Sequence, residues 1–355
     1  MDDTAYVQAA IDAGEAFFPA GTYRLTAPIR ITKPVTIVGE PPSISNMGGT
    51  WFHIDHAGVG FDLNNSEGYY NGVVMGSFGT YRTQPEPAPN WRPNDHDFDI
   101  SIFGLTDISI HNLTLLNPTR GIRQYGGGGR INIDSIQMQP FVVGILIDEA
   151  YDVCRISNIH NWVFWKDQAD VHKFMLGNLK GISLGRCDNP MLVNIFTIFA
   201  QTGLHFYQNA YGCTSKMHLV NADFDAGING IWVDPSVTNG VSGQFANITH
   251  QGYNGSDNSI ALLVAGTSSN LSFSSIKTMF CGANGLRVDG SGNKITVADA
   301  SVLYYDQGRK GFPGVEVAAN NTMSFAQTPY IATNGLGSAY GGAGEITVSI
   351  SQKVN

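Results

Sequence analysis

Residues 221–234 read Asn-Ala-Asp-Phe-Asp-Ala-Gly-Ile-Asn-Gly-Ile-Trp-Val-Asp, and the two halves of this stretch decide the fold. The first half is a small polar residue followed by an apolar one, Asn221-Ala222. The second is a glycine that opens an alternating strand, Gly230-Ile231. Working outward, the first half recurs at Asn112-Leu113, Ser135-Ile136, Asn158-Ile159, Asn194-Ile195, Asn247-Ile248, Ser275-Ile276 and Ser301-Val302. The second recurs at Gly121-Ile122, Gly144-Ile145, Gly181-Ile182, Gly203-Leu204, Gly285-Leu286 and Gly314-Val315, with Ser259-Ile260 standing in once. The halves alternate without a break from 112 to 317 at a repeat of roughly 23 to 36 residues, the range of a solenoid. Strands this short cannot bury an apolar face alone and must stack on the next coil at ~4.8 Å. The class is therefore all-β, a solenoid of parallel strands. The repeated Asn and Ser are expected to stack as an internal hydrogen-bonded ladder at a turn, with Asn112 and Asn247 pointing inward.

Composition agrees with many short strands and tight turns. Of 355 residues, 43% are apolar, only 14% are charged and 42 are glycine. That apolar content supports a core and excludes wholesale disorder. The net charge of -9 argues against a nucleic-acid partner, which would call for a basic face. No apolar stretch approaches the ~18 residues that a membrane span needs. Cys154, Cys187, Cys213 and Cys281 are too few and too scattered for a disulfide framework and lack paired zinc spacing, so they read as buried thiols.

The N-terminus adds a second signature. Asp3-Thr4-Ala5 with Gln8-Ala9-Ala10-Ile11-Asp12 reads as a short helix stopped by Gly14, with Asp3 or Thr4 supplying the N-cap oxygen. Phe17-Phe18-Pro19-Ala20-Gly21-Thr22-Tyr23 follows as strand, turn and strand, and Val35-Thr36-Ile37-Val38-Gly39 as a third short strand. This order resembles the opening of the pectate-lyase superfamily, which includes secreted polysaccharide-degrading enzymes and phage tailspike depolymerases. The resemblance implies a single-stranded right-handed parallel β-helix with a short N-terminal capping α-helix. Residues 1–40 would form the cap and first coil, 41–330 the β-helix of the same domain, and 331–355 a C-terminal strand or tail. It also implies a homotrimer, and a secreted protein or a part of a phage virion tail. Proteins of that superfamily normally carry a strand and an acidic Gly turn before the Asp-Thr-Ala segment, and this sequence begins inside that motif with Met1-Asp2-Asp3, so a targeting or anchoring segment is expected to be missing from it.

With inward residues fixed, outward ones line up in columns. Two residues past each Asn or Ser stand Thr114, Gln137, His160, Phe196, Asp223, Thr249, Lys277 and Leu303. Two further on, the column includes Trp162, Ile198, Asp225, Gln251 and Met279. The Gly-led strands present Arg123, His205, Trp232 and Arg287, then Asp148, Tyr207, Asp234 and Asp289. Asp223 and Asp225 share one face with Cα atoms ~6.5 to 7 Å apart. That fits an inverting glycosidase, whose carboxyls stand roughly 6.5 to 9.5 Å apart, one as acid and one as base. A solvated polar face gives the same pattern.

His160, Trp162, Trp165, His205, Tyr207, Trp232, Asp234 and Asp148 are the candidate sugar contacts, with the long segment 161–172 as one groove wall. The aromatics of that segment could instead pack it onto its own coil. Met191 to Ala200 is nearly continuously apolar, so Phe196 and Ile198 call for cover by a loop or another subunit. The histidines show no metal-ligand spacing, so no metal and no cofactor is expected of a hydrolase. A polysaccharide lyase on this fold would take Ca2+ and a basic proton acceptor such as Lys277 or Arg287, both distant from the acids. The functional expectation is a polysaccharide depolymerase, a glycoside hydrolase first and a lyase second. A non-catalytic glycan-binding spike is the reading from another class.

Overall fold

The computed structural model describes residues 1–66 and 68–349, with Glu15 by its backbone only. Among these residues the strands pair in parallel, and the chain divides after Ser183 into two compact units. In the first unit, helix α1 (Thr4–Asp12) buries Val7 and Ile11 against the first strands. Its start differs from the sequence expectation. Asp2 Oδ1 accepts the Thr4 N–H at 3.0 Å, while Asp3 Oδ2 accepts the Arg24 N–H at 2.9 Å and ties the helix to the next strand.

Winding then proceeds with one strand per coil in each of two sheets. Asn71–Arg82, Thr106–Leu115, Asn132–Met138 and Arg155–Asn161 pair in succession in one sheet. Phe61–Asn64, Phe98–Phe103, Arg120–Tyr125 and Val143–Ile147 pair in the other. The second unit repeats the scheme. Met191–Ile198, Met217–Gly227, Ser242–Gly252, Asn270–Met279 and Lys294–Tyr305 form one sheet. Thr202–Phe206, Asn229–Val233, Ile260–Val264, Leu286–Val288 and Val315–Val317 form the other. The fold is the all-β parallel β-helix that the half-repeats imply. Tyr330–Thr333, Tyr340–Gly341 and Glu345–Val348 are the last strands, and 350–355 lie outside the described residues.

Like residues stack on like. Leu219, Phe245, Phe273, Val297 and Phe325 occupy one buried register column, with the Phe245 and Phe273 rings 4.6 Å apart and nearly parallel. Each fully buried side chain of this size stabilises the stack by about 1.5–3 kcal/mol relative to exposure.

The Asn/Ser ladder exists, but on the outside. Asn221 Nδ2 donates to Asn194 Oδ1 at 3.1 Å, Asn247 Nδ2 to Asn221 Oδ1 at 2.9 Å, and Ser275 Oγ to Asn247 Oδ1 at 3.1 Å. Asn194, Asn221 and Asn247 are all exposed, as are Asn112 and Asn158 in the first unit. The reason is the backbone. Asn112, Ser135, Asn158, Asn194, Asn221 and Asn247 have φ between 53° and 57°, the left-handed region that Asn tolerates best among non-glycine residues. One such residue interrupts the in–out alternation and bends the strand, so it leaves the core with its neighbour. The register expected from the sequence holds from Phe196 through Asp223 and Thr249 to Lys277, but Lys277 then pairs with Ser301 rather than Leu303.

Buried charge is sparse and tightly held. Arg82 and Asp99 are wholly buried, with Arg82 Nε 2.8 Å from Asp99 Oδ1. Near them His96, and in the second unit His250, are held down to about 4 by burial, His96 also by the Arg82 charge. Both fold neutral, whereas an unfolded histidine titrates near 6.5. Unfolding thus takes up protons in the window between, so stability is full above pH ~6.5 and falls toward pH ~4. At pH 5 the loss should be on the order of 2 kcal/mol per histidine. Urea titrations at pH 7 and pH 5 should show the midpoint fall, and an unchanged midpoint would contradict the burial of these rings.

Candidate functional site

Asp223 and Asp225 lie on the Met217–Gly227 strand, flanked inward by the buried Ala222 and Phe224. The segment is held at both ends by left-handed residues, Asn221 at φ 57° and Ala226 at φ 44°, with a register shift between Phe224 and Gly227. Register places Asp223 between Phe196 and Thr249, and Asp225 beside Ile198. A shallow cavity of about 360 Å³ opens here, lined by Asn194, Phe196, Asn221, Asp223, Asn247 and Thr249. The Asn ladder is therefore its floor. The surrounding wall desolvates the Asp223 carboxyl and pushes it above its ordinary value, and the Asp225 charge adds to the rise. Asp225 Oδ1 is buried and has no hydrogen-bond partner among the described residues, so it stands ready for a donor.

Four other expected contacts gather on the Gly-led sheet of the same unit. His205 and Trp232 are register neighbours with rings 5.0 Å apart, and Tyr207 stacks on His205 at 5.8 Å. His205 is 3% exposed, with Nε2 3.5 Å from Asp234 Oδ2. Burial pushes the Asp234 carboxyl up, but hydrogen bonds from Ser236 and the neighbouring His205 outweigh it and leave it below its ordinary value. This dyad and the Asp223–Asp225 pair occupy different sheets. The structure thus brings the candidates of this unit together as two clusters.

The remaining candidates belong to the first unit. His160 joins a 400 Å³ cavity with Asn112, Thr114, Ser135, Gln137 and Asn158, and its ring meets Phe164 edge-on at 5.1 Å. Trp162 is 38% exposed. Trp165 instead packs among Trp91 at 5.9 Å and Phe141 at 5.7 Å, which fixes the long segment against the connections of preceding coils. Asp148 Oδ1 accepts the Glu149 N–H at 2.9 Å as a turn acid. The segment also runs into helix α2 (Ala169–Asn178), which the sequence pattern did not reveal. Arg287, the alternative base, is bound to Asp289 at 2.7 Å. Among the described residues no three His, Cys, Asp or Glu side chains gather closely enough to hold a metal ion.

Gln139 secures the segment and gives a test. Wholly buried, it accepts from Trp165 N at 2.6 Å and Lys166 N at 3.0 Å, and donates to Lys166 O at 2.9 Å. Gln139→Ala would strand these backbone groups at a cost of about 1–3 kcal/mol. Trypsin should then cut after Lys166 markedly faster than in the parent. Equal rates would show that the aromatic packing alone holds the segment.

No sequence-family profile matches the chain, and no curated protein sequence matches it. Solved structures do match. The pre-mature gene product 12 of bacteriophage phi29 superposes with a TM-score of 0.61 at 12% identity, covering 98% of this chain and 54% of that one. The Acinetobacter phage vb_AbaP_AS12 gp42 tailspike gives 0.55 at 9% identity over 99% and 60%. The catalytic unit of a GH87 alpha-1,3-glucanase from Streptomyces thermodiastaticus gives 0.55 at 12% identity over 99% and 65%. The chain spans between about half and two thirds of the length of these three proteins, and what it shares with them is the fold.

Proposed function

We propose that this β-helix is a polysaccharide depolymerase, a glycoside hydrolase in which Asp223 is the general acid and Asp225 the general base. The observation behind the assignment is the asymmetry of the pair. Asp223 lines the cavity, where desolvation and its partner's charge raise it, whereas Asp225 keeps a buried oxygen with no hydrogen-bond partner among the described residues. A raised carboxyl suits the delivery of a proton to a leaving oxygen, and a second carboxylate on the same face suits the activation of water. The Cα spacing of ~6.5 to 7 Å between alternate strand residues supports the inverting geometry. Tailspike and glucanase neighbours make a glycan the natural polymer for the groove, on the cell exterior or the virion.

Replacing a carboxyl by its amide keeps shape but removes proton chemistry. Asp223→Asn and Asp225→Asn should each lower turnover by ~10² or more with little change in stability. The assay is reducing-end release from a panel of bacterial exopolysaccharides, run beside an ultraviolet assay for unsaturated ends. If both variants keep near-normal activity, the assignment fails. If the parent cuts nothing, a glycan-binding spike takes its place. Unsaturated ends would instead support a lyase, for which the buried His205 beside Asp234 is the acid–base pair to examine.

A homotrimer belongs to the same proposal. Ile198 is only 6% exposed and so is already covered within the chain, but Met191, Val193 and Val220 remain 37–38% exposed on neighbouring strands. That apolar strip is the surface for a second copy. Light scattering should give three times the chain mass, and a monomer at micromolar concentration would refute it.

A further inference from the structure

Strand alternation should send Phe280 inside. Lys277 is exposed, Thr278 buried and Met279 half-buried, so the next side chain is due in the core. Phe280 instead has φ 54° and is 40% exposed. One coil further on, Tyr304 does the same, with φ 53° and 43% exposure after the buried Val302 and half-buried Leu303. An aromatic residue in the left-handed region is an outlier, and strain of this kind concentrates where a site needs it. Here two successive coils accept it, and the result is a pair of rings stacked 5.2 Å apart at 16° on the outer surface.

The surroundings give the rings a polar rim. A cavity of about 390 Å³ beside Phe280 is lined by Gln251, Gly252, Asn254 and Gln307. Gln307 Nε2 donates to Tyr304 O at 2.5 Å and to Asn334 Oδ1, so its amide is fixed in place. Register ties the platform to the acids. Asp223 pairs with Thr249 on the next strand, where Gln251 pairs in turn with Met279, the residue before Phe280. Phe280 therefore stands two coils along from the acid pair, about 10 Å at the usual strand spacing.

We infer that Phe280, backed on one face by Tyr304, forms a sugar-stacking subsite flanking the carboxylate pair, with Gln251, Asn254 and Gln307 taking ring hydroxyls. The inference rests on the polysaccharide reading above and assigns it a binding direction along the coils. A pyranose ring offers an apolar C–H face and an equatorial fringe of hydroxyls, which matches a ring surface edged by amides. A contact between copies would favour an apolar surround, which these three amides do not provide.

The test is affinity electrophoresis in native gels, each containing alginate, polygalacturonate, xylan, dextran or a purified capsular polysaccharide. The parent should be retarded by at least one. Phe280→Gly and Tyr304→Gly suit the positive φ and so keep the fold. Each should weaken that retardation roughly tenfold in Kd, while Phe280→Tyr, which keeps a ring, retains it. Parent and glycine variants retarded equally would overturn the subsite and leave the polysaccharide reading intact. A parent that neither binds nor cuts any of the polymers overturns both. A fall in mass by light scattering in the variants would mark the rings as a contact between copies, and would overturn the subsite as well.

Discussion

Every feature of the structure depends on one constraint, that each coil must lie directly on the last at the hydrogen-bonding distance of a parallel sheet. At ~4.8 Å per coil, a residue has its register partners above and below as its nearest neighbours. Apolar positions then build columns such as Leu219, Phe245, Phe273, Val297 and Phe325, and polar ones build the Asn194–Asn221–Asn247 ladder. The same rule turns isolated surface residues into rows. A groove along such a stack needs no dedicated loop, because its floor is a column.

The left-handed residues decide which columns face solvent. A strand without them alternates strictly, and every second residue is hidden. Asn at φ near 55° shifts that parity once per coil and makes a concave bend, where Asp223 sits among ladder amides. A second set, with Ala226, Phe280 and Tyr304 among its members, shifts parity again at the strand end. The acid pair is thus framed by two such shifts, and the exposed aromatics follow from the second. The bend also bears on the electrostatics, since desolvation there and the Asp225 charge together raise Asp223.

Much of this was legible in the sequence because the repeat forces it. The half-repeats gave the strand order, the column from Phe196 to Lys277 and the pairing of His205 with Trp232. What escaped were the effects of backbone conformation, which residue type reports only weakly. Asn is common in turns of either hand, so the ladder was read as internal although φ turns it outward. Phe280 and Tyr304 carry no turn signature at all, and alternation assigns both to the core. Trp165 was equally ambiguous, because only the positions of Trp91 and Phe141 show it to be packed against preceding coils. The separation of Asp223 and Asp225 from the His205–Asp234 dyad was likewise out of reach, since it depends on which sheet each strand joins.

The account can be tested most directly by a crystal structure of Asp223→Asn soaked with oligosaccharides from a polymer that the parent cleaves. The chain should lie along the coils with a glycosidic oxygen within hydrogen-bonding reach of residue 223 and a water held by Asp225. A sugar bound instead on the Gly-led sheet at His205, Trp232 and Asp234, with the Asp223 cavity empty, would contradict it.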